Sequence, residues 1–293
     1  MEATELLKKV RKIEIKTRGL SRNIFAGEYH SAFKGRGMAF SEVREYQYGD
    51  DIRNLDWNVT ARYNRPFIKI FEEERELTVV LLVDVSGSQD FGTVERLKRN
   101  VITEVSAILS FSAISNNDKI GVIFFSDIIE KFIPPKKGRT HTLRIISELL
   151  DFEPVSRRTD IAQALRYLTN AMKRRVTVFV ISDFMVNIPE IEQSLSIASN
   201  KHDVVALHIY DEREATLPAI GMVKLKDAET GEYLWIDTSN RKARDTYQNF
   251  WNKKKMQIDN LFSKSGLDFI SISTSEDYVK SLVALFKKRE HKL

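Results

Sequence analysis

An aspartate and two serines at the end of an apolar run are the residues best suited to chemistry. The run Thr78 to Val83 is followed by Asp84, Ser86 and Ser88, which offer one anionic and two neutral oxygens within a short turn. Gly87, between the serines, lets this turn bend tightly, so that both hydroxyls can face the same side. Oxygen ligands of this kind suit Mg²⁺, which binds about six oxygens at about 2.1 Å and usually keeps several waters.

Two further oxygen donors are predicted to reach the same place. Asp183 follows the apolar run Val176 to Ile181, and Thr159 lies just before a predicted helix that begins near Asp160. Ligands of open α/β folds bind where the carboxyl ends of parallel strands meet, so we expect both residues to join the Asp84 turn. The sequence therefore predicts a divalent-cation site made of oxygen ligands, with Mg²⁺ preferred and Mn²⁺ or Ca²⁺ as alternatives.

The elements that must position these residues alternate between strands and helices from Leu77 onward. Short apolar runs predict strands, and longer stretches with apolar residues at steps of three and four predict amphipathic helices. This rhythm is typical of a doubly wound α/β domain, in which helices cover both faces of a mostly parallel sheet. The predicted strands are Thr78–Val83, Lys119–Phe125, Val176–Ile181, Val204–Ile209 and Asp268–Ser273, and the predicted helices lie near 93–115, 139–150, 160–174, 188–200, 241–265 and 275–289.

Two segments do not follow this rhythm. Residues 213–240 contain alternating polar and apolar residues on either side of a turn-like Asp-Ala-Glu-Thr-Gly, which predicts a β-hairpin. Residues 20–76 contain short apolar runs between turns rich in Gly and Asp. We expect these segments to pair in a small β lobe. The predicted division is residues 1–76, an N-terminal helix and β-lobe segment, and residues 77–293, the α/β domain with the hairpin as an excursion.

The composition excludes several classes of protein. The chain has no cysteine, and its five histidines are scattered, so a metal would have to be held by oxygens. No apolar run reaches the roughly 18 residues of a membrane-spanning helix, and the charged opening segment does not resemble a signal peptide, so we expect a cytoplasmic protein. The net charge of +5 comes from Lys and Arg that alternate with acids, which favours solvated helix faces and no nucleic-acid partner.

No enzymatic motif accompanies the aspartate and serines. The chain has no phosphate-binding loop, no dinucleotide glycine pattern and no Gly-x-Ser-x-Gly nucleophile motif. A Mg²⁺-dependent phosphohydrolase of the haloacid dehalogenase type would need a second acid two residues after Asp84, where Ser86 cannot transfer protons at neutral pH. We therefore expect a binding protein and not an enzyme. The residues alone also allow a plainer reading, a polar strand end that caps the next helix.

The five predicted ligands resemble the metal-ion-dependent adhesion site of von Willebrand factor A domains in their order and placement. They are Asp84, Ser86, Ser88, Thr159 and Asp183. The resemblance implies that the two serines and the threonine bind the metal directly, while the aspartates act directly or through water. It also implies that an acidic residue of a protein partner completes the coordination.

The residues before Thr159 depart from the pattern of this family. Many A domains have two glycines there, whereas this chain has Arg157 and Arg158. Two cations beside a cation site are predicted to help hold an acidic partner. If they weaken metal binding instead, the alternative is a structural interaction module with a non-functional metal site.

The segment Phe40 to Arg62 resembles the signature of a bacterial family, number fifty-eight among the domains of unknown function. The resemblance rests on a spaced Gly-Asp-Asp at 49–51, an Asp-Trp pair at 56–57 and an Ala-Arg pair at 61–62. It implies an AAA+ ATPase of the MoxR type as a functional companion, in the assembly, maturation or stress response of other proteins. It also leaves room for peripheral contact with membrane-protein partners.

Overall fold

The structure is a computed structural model that describes residues 8, 10–14, 38–73, 76–92 and 97–290. The chain divides into two compact units, one of residues Lys34–Leu77 and the other of Met1–Phe33 together with Thr78–Leu293. The predicted division lies beside the boundary after Leu77, but it grouped the N-terminal helix with the β segment. In the structure that helix belongs to the α/β unit.

The labelled elements of the described residues follow in chain order. The strands are β1 Met38–Glu45, β2 Phe67–Glu73, β3 Thr78–Asp84, β4 Lys119–Phe125, β5 Ile129–Lys136, β6 Thr177–Ser182, β7 Asp203–Tyr210, β8 Met222–Lys226, β9 Tyr233–Asp237 and β10 Asp268–Ser273. The helices are α1 Trp57–Tyr63, α2 Lys98–Ser115, α3 Arg139–Asp151, α4 Ile161–Ala171, α5 Ile188–Lys201, α6 Glu212–Ala215, α7 Arg241–Lys264 and α8 Tyr278–Glu290. The strands and helices predicted from Thr78 onward are confirmed within a few residues at their ends, except that residues 93–96 of the helix predicted near 93–115 lie outside the described residues.

Six strands form the central sheet, in the order β10-β7-β6-β3-β4-β5. All neighbouring strands run parallel except β5, which pairs antiparallel with β4. The predicted α/β fold with a mostly parallel sheet is therefore confirmed. The two strands that carry Asp84 and lead to Asp183, β3 and β6, are neighbours at the centre of the sheet.

Helices cover both faces of this sheet. Val80, Leu82 and Val178 belong to one buried cluster with apolar residues of α4, α5 and α7. Their neighbours on β3, Val79 and Leu81, point to the opposite face and are fully buried as well. Burial on both faces explains why the central strands are continuously apolar instead of alternating. In the part of the chain that the structure describes, no helix has both the length and the apolar character needed to cross a bilayer.

Strand β5 was not predicted from the sequence. Only Ile133 among its residues is fully buried, and Pro134 and Pro135 interrupt the apolar pattern near its end. Proline cannot donate a hydrogen bond to a neighbouring strand, which suits the edge of the sheet. A Cβ atom added to Gly121 of β4 would lie 2.8 Å from the backbone nitrogen of Pro135, so the glycine permits the close approach of these two strands.

The N-terminal helical segment packs on the α/β unit. Val10 is buried in a cluster that contains Phe111 of α2, and Ile13 packs against the same cluster. The carboxylate of Glu14 lies 2.6 Å from the guanidinium of Arg139 at the start of α3. This apolar contact and ion pair are the reason that the segment belongs with the α/β unit and not with the strands that follow it.

The unit Lys34–Leu77 contains the antiparallel pair β1 and β2 together with α1. Arg44 donates two hydrogen bonds to the carboxylate of Asp50, at 2.9 and 2.7 Å. Asp56 accepts hydrogen bonds from the first backbone N–H groups of α1 and so caps this helix. Charged residues of this segment therefore act, at least in part, in local structure.

The two β segments do not share a sheet among the described residues. There, β1 pairs with β2 and β8 pairs with β9, as two separate two-stranded sheets. For those residues, the predicted pairing between residues 20–76 and residues 213–240 is wrong, because each strand pairs within its own segment. Residues 20–37 of that prediction lie outside the described residues. The hairpin of β8 and β9 belongs to the α/β unit, as predicted.

A buried histidine in β7 leads to a prediction about acid stability. The imidazole of His208 lies 3.0 Å from the Ser271 hydroxyl, and burial lowers its pKa from 6.5 to about 4. Between these two values the unfolded chain binds a proton that the folded protein does not, so the free energy of unfolding decreases as the pH falls through this window.

Replacing His208 by Gln removes this contribution. The loss of stability between about pH 7 and about pH 5, measured by urea unfolding, should be smaller in His208→Gln than in the wild type by about 1–2 kcal/mol. Equal losses in the two proteins would contradict the burial of a neutral imidazole.

Candidate metal-binding site

Two neighbouring parallel strands bring the predicted acids together. Asp84 is the last residue of β3, and Asp183 follows the last residue of β6. Val83 is paired in register with Ile181, so the two strands end at the same level. Asp84 is 1% exposed and Asp183 is 2% exposed. The carboxyl edge of the sheet therefore holds two buried carboxylates close to each other.

Hydrogen bonds from both strands orient the carboxylate of Asp84. Its Oδ1 accepts a bond of 2.9 Å from the backbone N–H of Ser86, and its Oδ2 accepts one of 2.6 Å from the hydroxyl of Ser182. Ser182, which the sequence analysis did not identify, is the last residue of β6. It ties the Asp84 turn to the strand that leads to Asp183.

The two serine hydroxyls of the turn lie side by side. Ser86 Oγ and Ser88 Oγ are 3.1 Å apart, and the amide of Gln89 donates a hydrogen bond of 3.2 Å to Ser88 Oγ. A 3₁₀ turn at Gly87–Asp90 follows directly after Ser86. The predicted glycine turn thus places both hydroxyls together, beside the buried acids.

A buried cation, Lys98, completes the charge balance of the site. Its side chain is 0% exposed, and Nζ lies 2.8 Å from Asp183 Oδ2 and 2.6 Å from Glu214 Oε1. Lys98 was not among the predicted site residues. A signal was present, because Lys98 shares the spacing of four, three and four with Ile102, Val105 and Leu109, which are buried on the same face of α2.

The pKa values of the two aspartates move in opposite directions. Burial, together with the nearby charge of Asp183, raises the pKa of Asp84 to about 6. Burial would also raise the pKa of Asp183, but the charge and hydrogen bond of Lys98, together with the hydroxyl of Ser88, hold it below its ordinary value. The surroundings of Asp183 therefore favour its ionised form, whereas those of Asp84 disfavour it.

Glu214, at the other end of the lysine, behaves differently from Asp183. The positive charge of Lys98 favours the ionised form of this carboxyl group, yet burial outweighs that effect and raises its pKa. Glu214 also closes a capping box in α6, because its side chain accepts a hydrogen bond from the backbone N–H of Asp211. The lysine thus connects α6 to the acids at the end of β6.

The loop that carries Thr159 and the two arginines lies against the serine turn. The backbone N–H of Gly87 donates a hydrogen bond of 3.0 Å to the carbonyl of Arg157, and Asp160 donates one of 3.0 Å to the carbonyl of Ser126. The side chains of Arg157 and Arg158 are exposed. The structure therefore places this loop at the predicted edge of the sheet, with both arginines facing solvent.

Thr159 contacts an acid that the sequence analysis did not assign to the site. Its hydroxyl donates a hydrogen bond of 2.8 Å to Glu229 Oε1, in the turn between β8 and β9. Burial raises the pKa of Glu229, and the negative charge of Asp183 acts in the same direction. The hairpin turn was predicted, but nothing in the local pattern indicated that it would lie over the Asp84 turn.

The donors at this edge fit a magnesium ion. Among the described residues, no group of three or more His, Cys, Asp or Glu is placed so that it could hold a metal ion by itself. Two carboxylates with serine hydroxyls form a different kind of donor set. Adjacent ligands of an octahedral Mg²⁺ are about 3.0 Å apart, close to the spacing of the two serine oxygens.

The comparisons with known proteins identify one family. Residues 42–257 match the family described as "Protein of unknown function DUF58". An uncharacterized protein of Mycobacterium tuberculosis is 29% identical over 285 residues, which are 96% of this chain and 88% of that protein.

Two solved structures are similar to the chain. One is an aerotolerance-related membrane protein from Bacteroides fragilis, crystallised with multiple mutations to serines. It is 15% identical, with a TM-score of 0.51 and coverage of 74% of this chain and 100% of that chain. The other is the conserved hypothetical protein BatB from Bacteroides thetaiotaomicron, which is 15% identical with a TM-score of 0.48 and coverage of 73% and 99%. The first of these shows a shared fold.

The buried lysine provides a test of the charge balance. Replacing Lys98 by Met leaves the buried Asp183 and the partly buried Glu214 without their cation, so the free energy of unfolding should fall by about 3–5 kcal/mol. Urea unfolding measures this loss. The exposed Lys242, replaced by Met in the same way, is the matched control and should change stability little.

A second substitution isolates the ion pair. In a double-mutant cycle, Lys98→Met combined with Asp183→Asn should be less destabilised than the sum of the two single variants, because the unpaired charge is gone. Strict additivity of the two losses would show that Lys98 does not neutralise Asp183.

Proposed function

The chain belongs to the family described as "Protein of unknown function DUF58", and on this premise we propose that it is a metal-dependent protein-binding adaptor. One observation carries the proposal. Asp84, Ser86, Ser88 and Asp183 meet at the carboxyl edge of the sheet, with the two serine hydroxyls 3.1 Å apart beside two buried carboxylates. This is the arrangement that a metal-ion-dependent adhesion site of the von Willebrand factor A type requires.

Each of these four residues has a definite part in the proposed site. The hydroxyls of Ser86 and Ser88 are the direct ligands, and Asp84, held by Ser86 and Ser182, supplies negative charge beside them. Lys98 donates a hydrogen bond to one carboxylate oxygen of Asp183 and the backbone N–H of Met185 donates to the other, and we propose that this acid acts through water. A bound Mg²⁺ would supply a partly neutralised positive charge that attracts an external carboxylate.

The partner of this site is proposed to be a protein with an acidic ligand residue. Arg157 and Arg158 support this choice, because both side chains are exposed on the loop that binds the serine turn through the Arg157 carbonyl. Two cations at the rim would speed the approach of an acidic surface and favour it over a basic one. Thr159, in the same loop, is proposed as the fifth ligand.

The wider setting of the adaptor is proposed from the resemblance to this family. We propose a cytoplasmic protein that works with a MoxR-type AAA+ ATPase in protein assembly, maturation or stress response, with peripheral contact with membrane-protein partners. No catalytic role is proposed, because Ser86 occupies the position at which a phosphohydrolase would need a second acid.

A second candidate has its own support in the structure. The ammonium group of Lys98 already neutralises Asp183, so the site holds one positive charge without any metal. A structural interaction module without a functional metal site would have the same buried ion pair. Direct measurement of Mg²⁺ binding separates the two candidates.

Asp84→Asn tests the proposed function. The amide keeps the size of the side chain but removes its charge, so the affinity for Mg²⁺ in calorimetric titration should fall about tenfold or more, and magnesium-dependent capture of partners from the native cell should be lost. The matched control is Asp90→Ala, which removes an exposed carboxylate of the same turn and should leave both unchanged.

Two results would refute this function. One is wild-type protein that shows no Mg²⁺ binding, which would favour the structural module. The other is capture of the same partners by Asp84→Asn, or in the presence of a chelator.

A further inference from the structure

The turn between β8 and β9 is a preformed structure. Asp227 Oδ1 accepts hydrogen bonds of 2.8 Å from the backbone N–H groups of both Glu229 and Thr230. Gly231 donates a backbone hydrogen bond of 3.0 Å to the carbonyl of Asp227 and has a positive φ of 76°. The aspartate side chain and the glycine together hold the residues 227–231, which we name the hairpin turn, in one conformation.

The hairpin turn lies directly on the predicted metal site. The carbonyl oxygen of Ala228 approaches Gly87 so closely that a Cβ atom at Gly87 would overlap it. Gly87 stands between Ser86 and Ser88, so it is the backbone of the serine turn that Ala228 covers. The next residue, Glu229, accepts the hydrogen bond of 2.8 Å from Thr159, the proposed fifth ligand.

Three features of Glu229 match the acid that a partner would supply. It is a carboxylate, it is partly buried at the mouth of the site, and it binds a proposed metal ligand. It also lies within the electrostatic influence of Asp183. Placing one more negative charge beside the acids of the site is unfavourable unless a cation is shared between them.

We propose that Glu229 is an internal ligand of the site, so that the hairpin turn occupies the position of the acidic partner and an external partner binds by displacing it. The inference rests on the proposed function, because it concerns the same site. It makes Glu229 a further binding residue, and it makes the free protein a closed form of the adaptor.

The hairpin can leave the site without disrupting the core. Its two strands pair only with each other among the described residues, and most of their side chains are exposed. An isolated two-stranded hairpin is only marginally stable, so its contacts with the serine turn contribute to holding it in place. The six-stranded sheet contains neither β8 nor β9 and would remain intact.

The shape of the hairpin turn also indicates what kind of partner segment would bind in its place. In the closed form an acid in a tight turn, preceded by the small residue Ala228, occupies the space above Gly87, so a competing segment of the same shape would fit there. The expected partner is therefore a protein with an acidic loop.

Binding of Mn²⁺ alone to the full chain tests the internal ligand. In Glu229→Gln the charge of the ligand is lost, so we expect an affinity for Mn²⁺ about tenfold lower by electron paramagnetic resonance, together with a higher water-proton relaxation rate because water replaces the carboxylate. The control is Glu232→Gln, an exposed acid of the same hairpin, which should behave as the wild type.

Sodium acetate then serves as a minimal external carboxylate. In the wild type, acetate has to compete with Glu229 for the bound Mn²⁺, whereas in Glu229→Gln it should lower the water-proton relaxation rate at a concentration about tenfold lower. Gly87→Ala is a second variant, because the added Cβ pushes the Ala228 carbonyl away. It should expose the backbone amides of the hairpin turn to faster hydrogen exchange even without metal.

The outcomes separate this inference from the proposed function. If wild type binds Mn²⁺ and Asp84→Asn does not, but Glu229→Gln matches Glu232→Gln in affinity and in its response to acetate, the internal ligand is refuted and the metal site stands. If the wild type binds no Mn²⁺, the proposed function fails and the internal ligand fails with it. Unchanged hydrogen exchange in Gly87→Ala would also count against a turn seated on the site.

Discussion

Two carboxylates buried side by side at the ends of parallel strands are the constraint on which the rest of the site depends. Asp84 and Asp183 lie at the same level because β3 and β6 are neighbours in register, and both are almost completely buried. Like charges in such a place need a counter-charge, and Lys98 supplies it. The lysine in turn requires Glu214, so that α2, α6 and the end of β6 are joined by one ion-pair network.

This ion-pair network gives the two aspartates different ionisation properties. Lys98 keeps Asp183 ionised and engaged, whereas Asp84 has only hydroxyl and amide donors and carries the raised pKa. The acid without a cation is the one beside the two serine hydroxyls. One more positive charge would therefore be favourable at this site. The serine turn is the place at which it would be bound. By the same argument, Glu229 of the hairpin turn would be attracted to a positive charge bound at the serine turn.

Much of the fold could be predicted because it depends on local pattern. Continuous apolar strands and amphipathic helices indicated the mostly parallel α/β sheet, and turn residues indicated the hairpin at 222–237. Strand β5 could not be predicted in this way, because its burial alternates weakly and its two prolines suit only an edge. The predicted pairing of two segments in one β lobe was wrong for a related reason. A strand pattern shows that a segment pairs, but not with which partner.

For the site, the sequence by itself determined the types and order of the oxygen donors, and that Asp84 and Asp183 follow strands that end at one edge. Only the tertiary structure decided which further charges reach them. Lys98 is brought to Asp183 across 85 positions of sequence, and Thr159 meets Glu229 across 70. Such long-range contacts arise when helices and loops pack on the sheet. A local sequence pattern does not show them, because it does not distinguish a buried lysine from a solvated one.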